Sequence, residues 1–309
     1  FSAACIAALD RHGWNVTVLH REPELAAGGY KTSERVQWKA GEAVNRWDIM
    51  KVAGQADTII YPGTQPSARN AAGLGQAMLA SALSAARAVN ARLVVPANLH
   101  NFGPEDGPVL SETTPQNPVT QKGRIRAAME DRLDRAAKED GARVLLVRTG
   151  DVFGPVAPGS WISNVMVRRN RHVRMVRYPG HFDTGHAWAY LPDVGETVAR
   201  LLARESELAA FESFHVGGHY LARGVEMAEN LREIAGNPDA PIEPVSRTYM
   251  CLAGPFEPKY NELLAHRHLW TTSKALDNTK LVSFLGEEPR TGFRTALRTT
   301  LTAMGCIPR

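Results

Sequence analysis

Apolar positions along this chain recur with two periods that alternate from one segment to the next. Residues 1–12 place Ala4, Ile6, Ala7, Ala8 and Leu9 on a helix, with Gly13 positioned as its C-cap. A β-branched, alternating stretch at 15–21 (NVTVLHR) predicts a short buried strand. RVQWKAGEA (35–43) predicts a second strand, and ADTIIYPGTQP (56–66) a third that runs out in a Pro/Gly loop. An Ala-rich helix is expected from Ser67 to Val89, a strand at 91–98 (ARLVVPAN), a helix from Thr120 to Glu139 and a strand at 142–155 (ARVLLVRTGDVFGP). Strands separated by such helices are βαβ units, which require a parallel sheet with helices on both faces. The expected fold class is therefore a doubly wound α/β sheet, with ligands beyond the carboxyl ends of its strands. Those ends read LHR, AGEA, YPGTQP, ANLHNFGP and RTGDVFGP, each carrying small or polar residues.

The second half is less regular. SWISNVMVRRN reads as helical, LPDVGETVARLLAR (191–204) is an amphipathic helix entered at Pro192-Asp193, and SFHVGG (213–218) is a short strand. Helices are expected near 223–235, 274–284 and 290–304, and the irregular stretch 237–272 reads as a substrate lid. Residues 1–155 are thus expected to form a nucleotide-binding domain. Residues 156–309 form mainly a smaller C-terminal substrate lobe, with 188–218 returning to the first domain.

Composition narrows the possibilities. With 309 residues, 44% of them hydrophobic, the chain can bury a substantial core. The net charge of +4 is spread along it. One denser run, VRRNRHVRMVR (167–177), alternates Arg with Val and Met, which reads as a solvated helix end leading into a strand and not as a nucleic-acid patch. Three cysteines lie far apart with no metal-ligand spacing, as expected of a reducing compartment. No apolar run approaches a membrane span and no signal peptide is visible, so the expected location is cytoplasmic, with no membrane partner.

Four pieces in order, NFGP (101–104), NPVTQKGRIRAAME (117–130), RTGDVFGP (148–155) and YLPDVGETVARLL (190–202), resemble the extended short-chain dehydrogenase/reductases of the NAD-dependent epimerase/dehydratase type. The resemblance covers nearly the whole chain and implies a Rossmann-type domain, an NAD(P) cofactor and a small-molecule substrate. Residues 1–12 match the helix that follows the family's glycine-rich turn, so the resemblance implies a strand and a phosphate-binding turn ahead of residue 1. Where NAD-preferring members carry an Asp after the second strand, this chain has His20-Arg21, and a guanidinium can pair with a 2′-phosphate. That favours NADP over NAD. Glu42 and Ala43 fall where the family contacts adenine. Pro62 and Gly63, and then Thr149 and Gly150, fall on strand ends that line the cofactor. Homodimers in the family often form through the two long helices, so a homodimer is an expected assembly.

The resembled family works with a Ser or Thr, a Tyr and a Lys. The Tyr transfers the proton, and the Lys lowers its pKa from about 10 and binds the nicotinamide ribose. The three positions fall here on Asn98, Lys122 and Arg126, and all three differ. Asn98 can donate to a substrate carbonyl, and Arg126 can hold the ribose but cannot lose its proton. Two readings follow. In one, Lys122 is the acid/base of a reductase acting on a small carbonyl or related compound, as in atypical members resembling phenylpropenoid reductases, which use a lysine and no tyrosine. In the other, the chain is a non-catalytic NADP-binding sensor or scaffold, like nitrogen-regulator-type relatives. An ordinary sugar epimerase is disfavoured, because it must return the hydride with an efficient base. A plainer reading takes KGRIR as a basic, solvated helix start, with Glu130 four residues after Arg126 as an ion-pair partner.

Other residues are weaker candidates. Trp161, His181 and Tyr190 are expected to face the substrate, Tyr190 also as a substitute phenol alongside Tyr178. His181, Asp183 and His186 could ligate a metal, but no second cluster lies nearby in sequence, and no metal is expected. His266 and His268, two apart, suit a loop or strand better than a helical metal site, and Asp193 reads as a structural helix opener.

Overall fold

The β-branched runs fold as the strands Val16–His20, Val36–Ala40, Thr58–Ile60, Arg92–Ala97 and Arg143–Arg148. The structure, a computed structural model, describes residues 1–54, 56–63, 71–155, 157 and 159–308. The expected strand residues 64–66 and helix residues 67–70 lie outside these. The chain divides into two units. The first comprises Phe1–Ala97, Ile125–Arg148 and Val194–Phe214, and the second Asn98–Arg124, Thr149–Asp193 and His215–Arg309.

In the first unit Val16–His20 pairs in parallel with Val36–Ala40, and Arg92–Ala97 lies parallel between Thr58–Ile60 and Arg143–Arg148. Phe211–His215 joins the outer side of Arg143–Arg148. The helices Ala71–Ala88 and Gln121–Asp140 press Leu79, Leu83 and Leu133 onto Leu93, Val95, Val144 and Leu146 of the sheet. Each such Leu, taken fully out of water, contributes roughly 1.5–3 kcal/mol. Within this core Arg92 is 1% exposed. Its Nε donates to Glu205 at 2.6 Å, and its other nitrogens donate to the carbonyls of Val144, Leu208 and Ala209 at 3.0–3.3 Å. Arg143 donates to the second Glu205 oxygen at 2.8 Å. The guanidinium thus pins the segment 205–209 to the sheet.

In the second unit Asp151–Phe153 lies parallel to His186–Tyr190, which pairs antiparallel with His219–Leu221. The core gathers Phe153, Tyr178, Trp188, Trp270, Leu231 and Leu297. The stretch 142–155, expected as one strand, is broken at Thr149–Gly150. A Cβ on Gly150 would overlap the backbone carbonyl of Ala187, so only glycine allows the chain to pass there. The segment read as helical after residue 160 holds a single π-helical turn, Ile162–Met166. The run 274–284 gives up its first residues to a strand, Ala275–Leu276, which pairs with Val109–Leu110 before the helix Thr279–Leu285 begins. The stretch 237–272 is more ordered than its sequence suggests. Ile242–Pro244 pairs with Val176–Tyr178, Ser246 caps Arg247–Ala253 by accepting from Tyr249 N at 3.1 Å, and Pro258 opens Pro258–Ala265. Asp193 lies in the first turn of Leu191–Leu202 and accepts from Thr291 N at 2.7 Å and Thr291 Oγ1 at 2.6 Å. Among the described residues no helix is long and apolar enough to cross a membrane.

Arg92→Ala leaves one Glu205 oxygen and three carbonyls without their donor, and should lower the unfolding free energy by about 3–5 kcal/mol in urea titrations. Lys138→Ala, at the exposed pair with Asp134, should cost about 0.5 kcal/mol or less. In the second unit His219 is 5% exposed, and its Nε2 has no hydrogen-bond partner among the described residues. Burial, aided by Arg290, lowers its pKa to about 4. Between that value and the unfolded value of about 6.5 the unfolded chain binds the extra proton, so stability must fall as pH drops through this window. The full effect is about 3 kcal/mol, and His219→Gln should flatten that part of a pH series of urea melts.

Candidate functional site

The nucleotide-facing candidates of the first unit sit on strand ends. Arg21 follows Val16–His20, is exposed, and has no ion-pair partner among the described residues. Glu42 and Ala43 follow Val36–Ala40, where the Glu42 N–H is held by Asp48 Oδ2 at 3.0 Å. Pro62 and Gly63 follow Thr58–Ile60. Gly63 takes φ +75°, and among the described residues an added Cβ would meet the Pro96 ring at 3.5 Å. A glycine there leaves the backbone approachable from outside. Arg126 lines a cleft with Tyr61, Pro96, Met129 and Glu130. Burial raises the Tyr61 phenol pKa and the Arg126 charge opposes this; the hydroxyl donates to the Gly75 carbonyl at 3.1 Å. Glu130 pairs with the buried Arg148 at the end of its strand.

The second unit carries Lys122 and Asn98. Thr120 opens the long helix by accepting from the Gly123 N–H at 2.9 Å, which places Lys122 in the first turn. The Lys122 amine pairs with Glu262 of the helix Pro258–Ala265, a residue that sequence reasoning did not single out. The two are 140 positions apart, and no local pattern links them. Asn98 Oδ1 accepts from His100 N at 3.0 Å and caps the turn Leu99–Asn101. That turn is locked from two sides. A Cβ on Gly123 would overlap the His100 carbonyl oxygen, and the His100 ring stacks on the buried His266 ring at 4.0 Å. His266 in turn closes the helix that carries Glu262, through His266 N to Glu262 O at 3.0 Å. His268 binds the Phe102 carbonyl through Nε2 at 3.2 Å, and burial lowers its pKa.

The remaining candidates disperse. Thr149 is buried with its hydroxyl on the Gly150 carbonyl at 3.0 Å, and Gly150 packs on Ala187. Trp161 donates through Nε1 to Asp151 at 3.2 Å. His181 is exposed, 3.4 Å from Arg267. Tyr190 is 6% exposed, its phenol pKa raised by burial against a Thr299 hydrogen bond. Tyr178 is buried as well, and burial raises its pKa too. Asp183 is almost fully exposed near Arg223, whereas His186 turns inward to Asp151. The three residues considered for a metal thus point to different places, and no metal-binding cluster exists among the described residues.

The family model that describes the NAD dependent epimerase/dehydratase family matches residues 3–217. The chain belongs to this family. Solved structures with the same fold include dTDP-glucose 4,6-dehydratase of Streptomyces venezuelae with NAD bound. It is 16% identical, with 97% of this chain and 92% of that chain covered and a TM-score of 0.75. They also include UDP-N-acetylglucosamine 4-epimerase of Bacillus cereus (14% identity, 97% and 94% covered, TM-score 0.73). UDP-glucuronic acid 4-epimerase of the same organism in complex with NAD is a third (14%, 98% and 92%, TM-score 0.72). At such identities the likeness establishes the Rossmann-like α/β architecture of the family. No curated protein matches the sequence significantly.

One packing prediction belongs to this site. Gly123→Ala should push the His100 turn away from the helix start, costing about 1–3 kcal/mol of stability in thermal or urea unfolding. It should also broaden or shift the His100 ring resonances in NMR spectra.

Proposed function

We propose that this family member is an NADPH-dependent reductase of a small carbonyl or related compound, with Lys122 as its proton donor. The observation that carries this reading is the Lys122–Glu262 pair at the start of the long helix. The pair holds the amine in place at the helix start, and a lysine ammonium can give up a proton to a developing alkoxide. Carbonyl reduction needs such a donor, whereas an epimerase also needs that group as an efficient base. Asn98, whose Oδ1 accepts from the His100 N–H, carries in its amide NH2 the kind of donor a carbonyl needs. NADPH, when bound, supplies the hydride to the carbonyl carbon. Arg21 fits a 2′-phosphate because it is exposed and unpaired by any acid among the described residues, which supports NADP over NAD. Gly63 offers the cofactor an open backbone, and Arg126 a permanent positive charge for the ribose. The relatives named above act on sugar nucleotides, so such compounds belong in any substrate panel beside simple aldehydes and ketones.

A second reading, a non-catalytic NADP-binding sensor or scaffold, draws on the same pair: an amine held by Glu262 can serve structure alone. Fluorescence titration with NADPH and NADH, followed by an NADPH-oxidation screen over the panel, separates the two. The reductase reading expects tighter binding of NADPH than of NADH. It also expects turnover that Lys122→Ala lowers by about 10²-fold or more. Turnover unchanged in Lys122→Ala would remove the residue from the mechanism. Tight NADPH binding without oxidation of any panel member would establish the sensor.

A further inference from the structure

Asp151, Trp161, His186 and Trp270 form a cluster in the second unit that proton donation by Lys122 does not use. Asp151 opens the strand Asp151–Phe153, next to the close passage of Gly150 on Ala187, so its backbone position is fixed. Its Oδ1 accepts from Trp161 Nε1 at 3.2 Å, and its Oδ2 lies 2.8 Å from His186 Nε2. His186 is 5% exposed and lies nearly parallel to the Trp270 ring, centroids 4.1 Å apart. Trp270 stands edge-on to Trp161 at 6.0 Å. Two aromatic donors thus set the plane of one carboxylate.

An ionised carboxylate has about four acceptor positions, of which these donors fill two. The Asp151 side chain keeps 27% of its surface exposed, so it is partly open to solvent. No Lys or Arg pairs with it among the described residues. Its charge is felt nearby: the Tyr178 phenol, already pushed up by burial, is pushed further by Asp151. An oriented negative group with open acceptor positions beside an indole wall suits a hydrogen-bond donor or a cation and repels an anion.

We propose that Asp151 is a substrate-recognition residue that accepts a hydrogen bond from a hydroxyl or ammonium group of the carbonyl substrate and disfavours a carboxylate or phosphate there. Trp161 and His186 are its positioning residues. The proposal rests on the reductase reading for the carbonyl substrate, but its test is a binding measurement that needs no turnover.

The probes are aminoacetone, hydroxyacetone and pyruvate, which share a three-carbon 2-oxo skeleton and differ in one group. Each is titrated against the full chain with NADP⁺ present, and tryptophan fluorescence reports binding because two indoles border Asp151. Wild type should bind aminoacetone and hydroxyacetone at least ~10-fold more tightly than pyruvate. Asp151→Asn keeps the shape and removes the charge, and should bring aminoacetone and pyruvate within about 3-fold of each other. His186→Asn should weaken aminoacetone binding less than Asp151→Ala does. Three results overturn the proposal: pyruvate binding as tightly as aminoacetone, an unchanged order in Asp151→Asn, or no saturable response to any probe. Unchanged order with loss of stability in Asp151→Asn would make the Asp151–His186 contact a packing feature only. If Lys122-dependent turnover persists while the binding order is absent, only this proposal falls. If the order depends on Asp151 but no panel compound is reduced, the reductase reading falls and the recognition role stands.

Discussion

The ion pair between Lys122 and Glu262 is the interaction on which the second unit's functional geometry depends. It joins the first turn of a long helix to the short helix Pro258–Ala265. The backbone approach of Gly123 to His100 and the stacking of His100 on His266 hold the same two segments beside each other. A partly exposed pair of this kind is worth little as a stability device. Its consequence is positional: it fixes where the amine sits. Removing the glycine, the stack or the carboxylate would each loosen the same amine.

The nine-residue segment 262–270 links this amine to the other polar group of the unit. It supplies Glu262 to Lys122, His266 to His100 and Trp270 to His186. The Lys122 amine and the His186 that contacts Asp151 are therefore braced by one stretch of chain. That arrangement suits a substrate with a carbonyl to reduce and a hydroxyl or amine to grip. The first unit, taken by itself, ends a strand in a glycine at positive φ and lines a cleft with Arg126.

The parallel strands were legible because each carries β-branched residues bounded by Gly, Pro or Asn, and the two long helices because their apolar spacing persists over several turns. The helix Arg46–Ala53 was not read, although Asn45 caps it by accepting from Trp47 N at 3.0 Å. Only Ile49 and Ala53 of its eight residues are buried, too few to set a period. Strands such as Val176–Tyr178 and Ile242–Pro244 are three residues long and exist through each other, which no local pattern reveals. Lys122, Asn98 and Arg126 could be singled out by position along the helix and strand, but Glu262 could not. Asp151 and His186 stood in quoted motifs, yet their pairing across 35 residues needed coordinates. Arg92 is a similar case, because its four acceptors come together only when 205–209 folds back onto the sheet.

The central claim is that an amine at position 122 does the work usually given to a phenol, and chemical rebuilding of that amine tests it most directly. Lys122→Cys removes the amine, and alkylation with bromoethylamine restores one of nearly lysine length. Wild type treated in the same way controls for Cys251, the exposed native thiol. The account predicts that NADPH oxidation is lost in Lys122→Cys and returns on aminoethylation, but not on alkylation with an uncharged group of the same size. Full activity in the unalkylated variant, or equal recovery with the uncharged group, would contradict it.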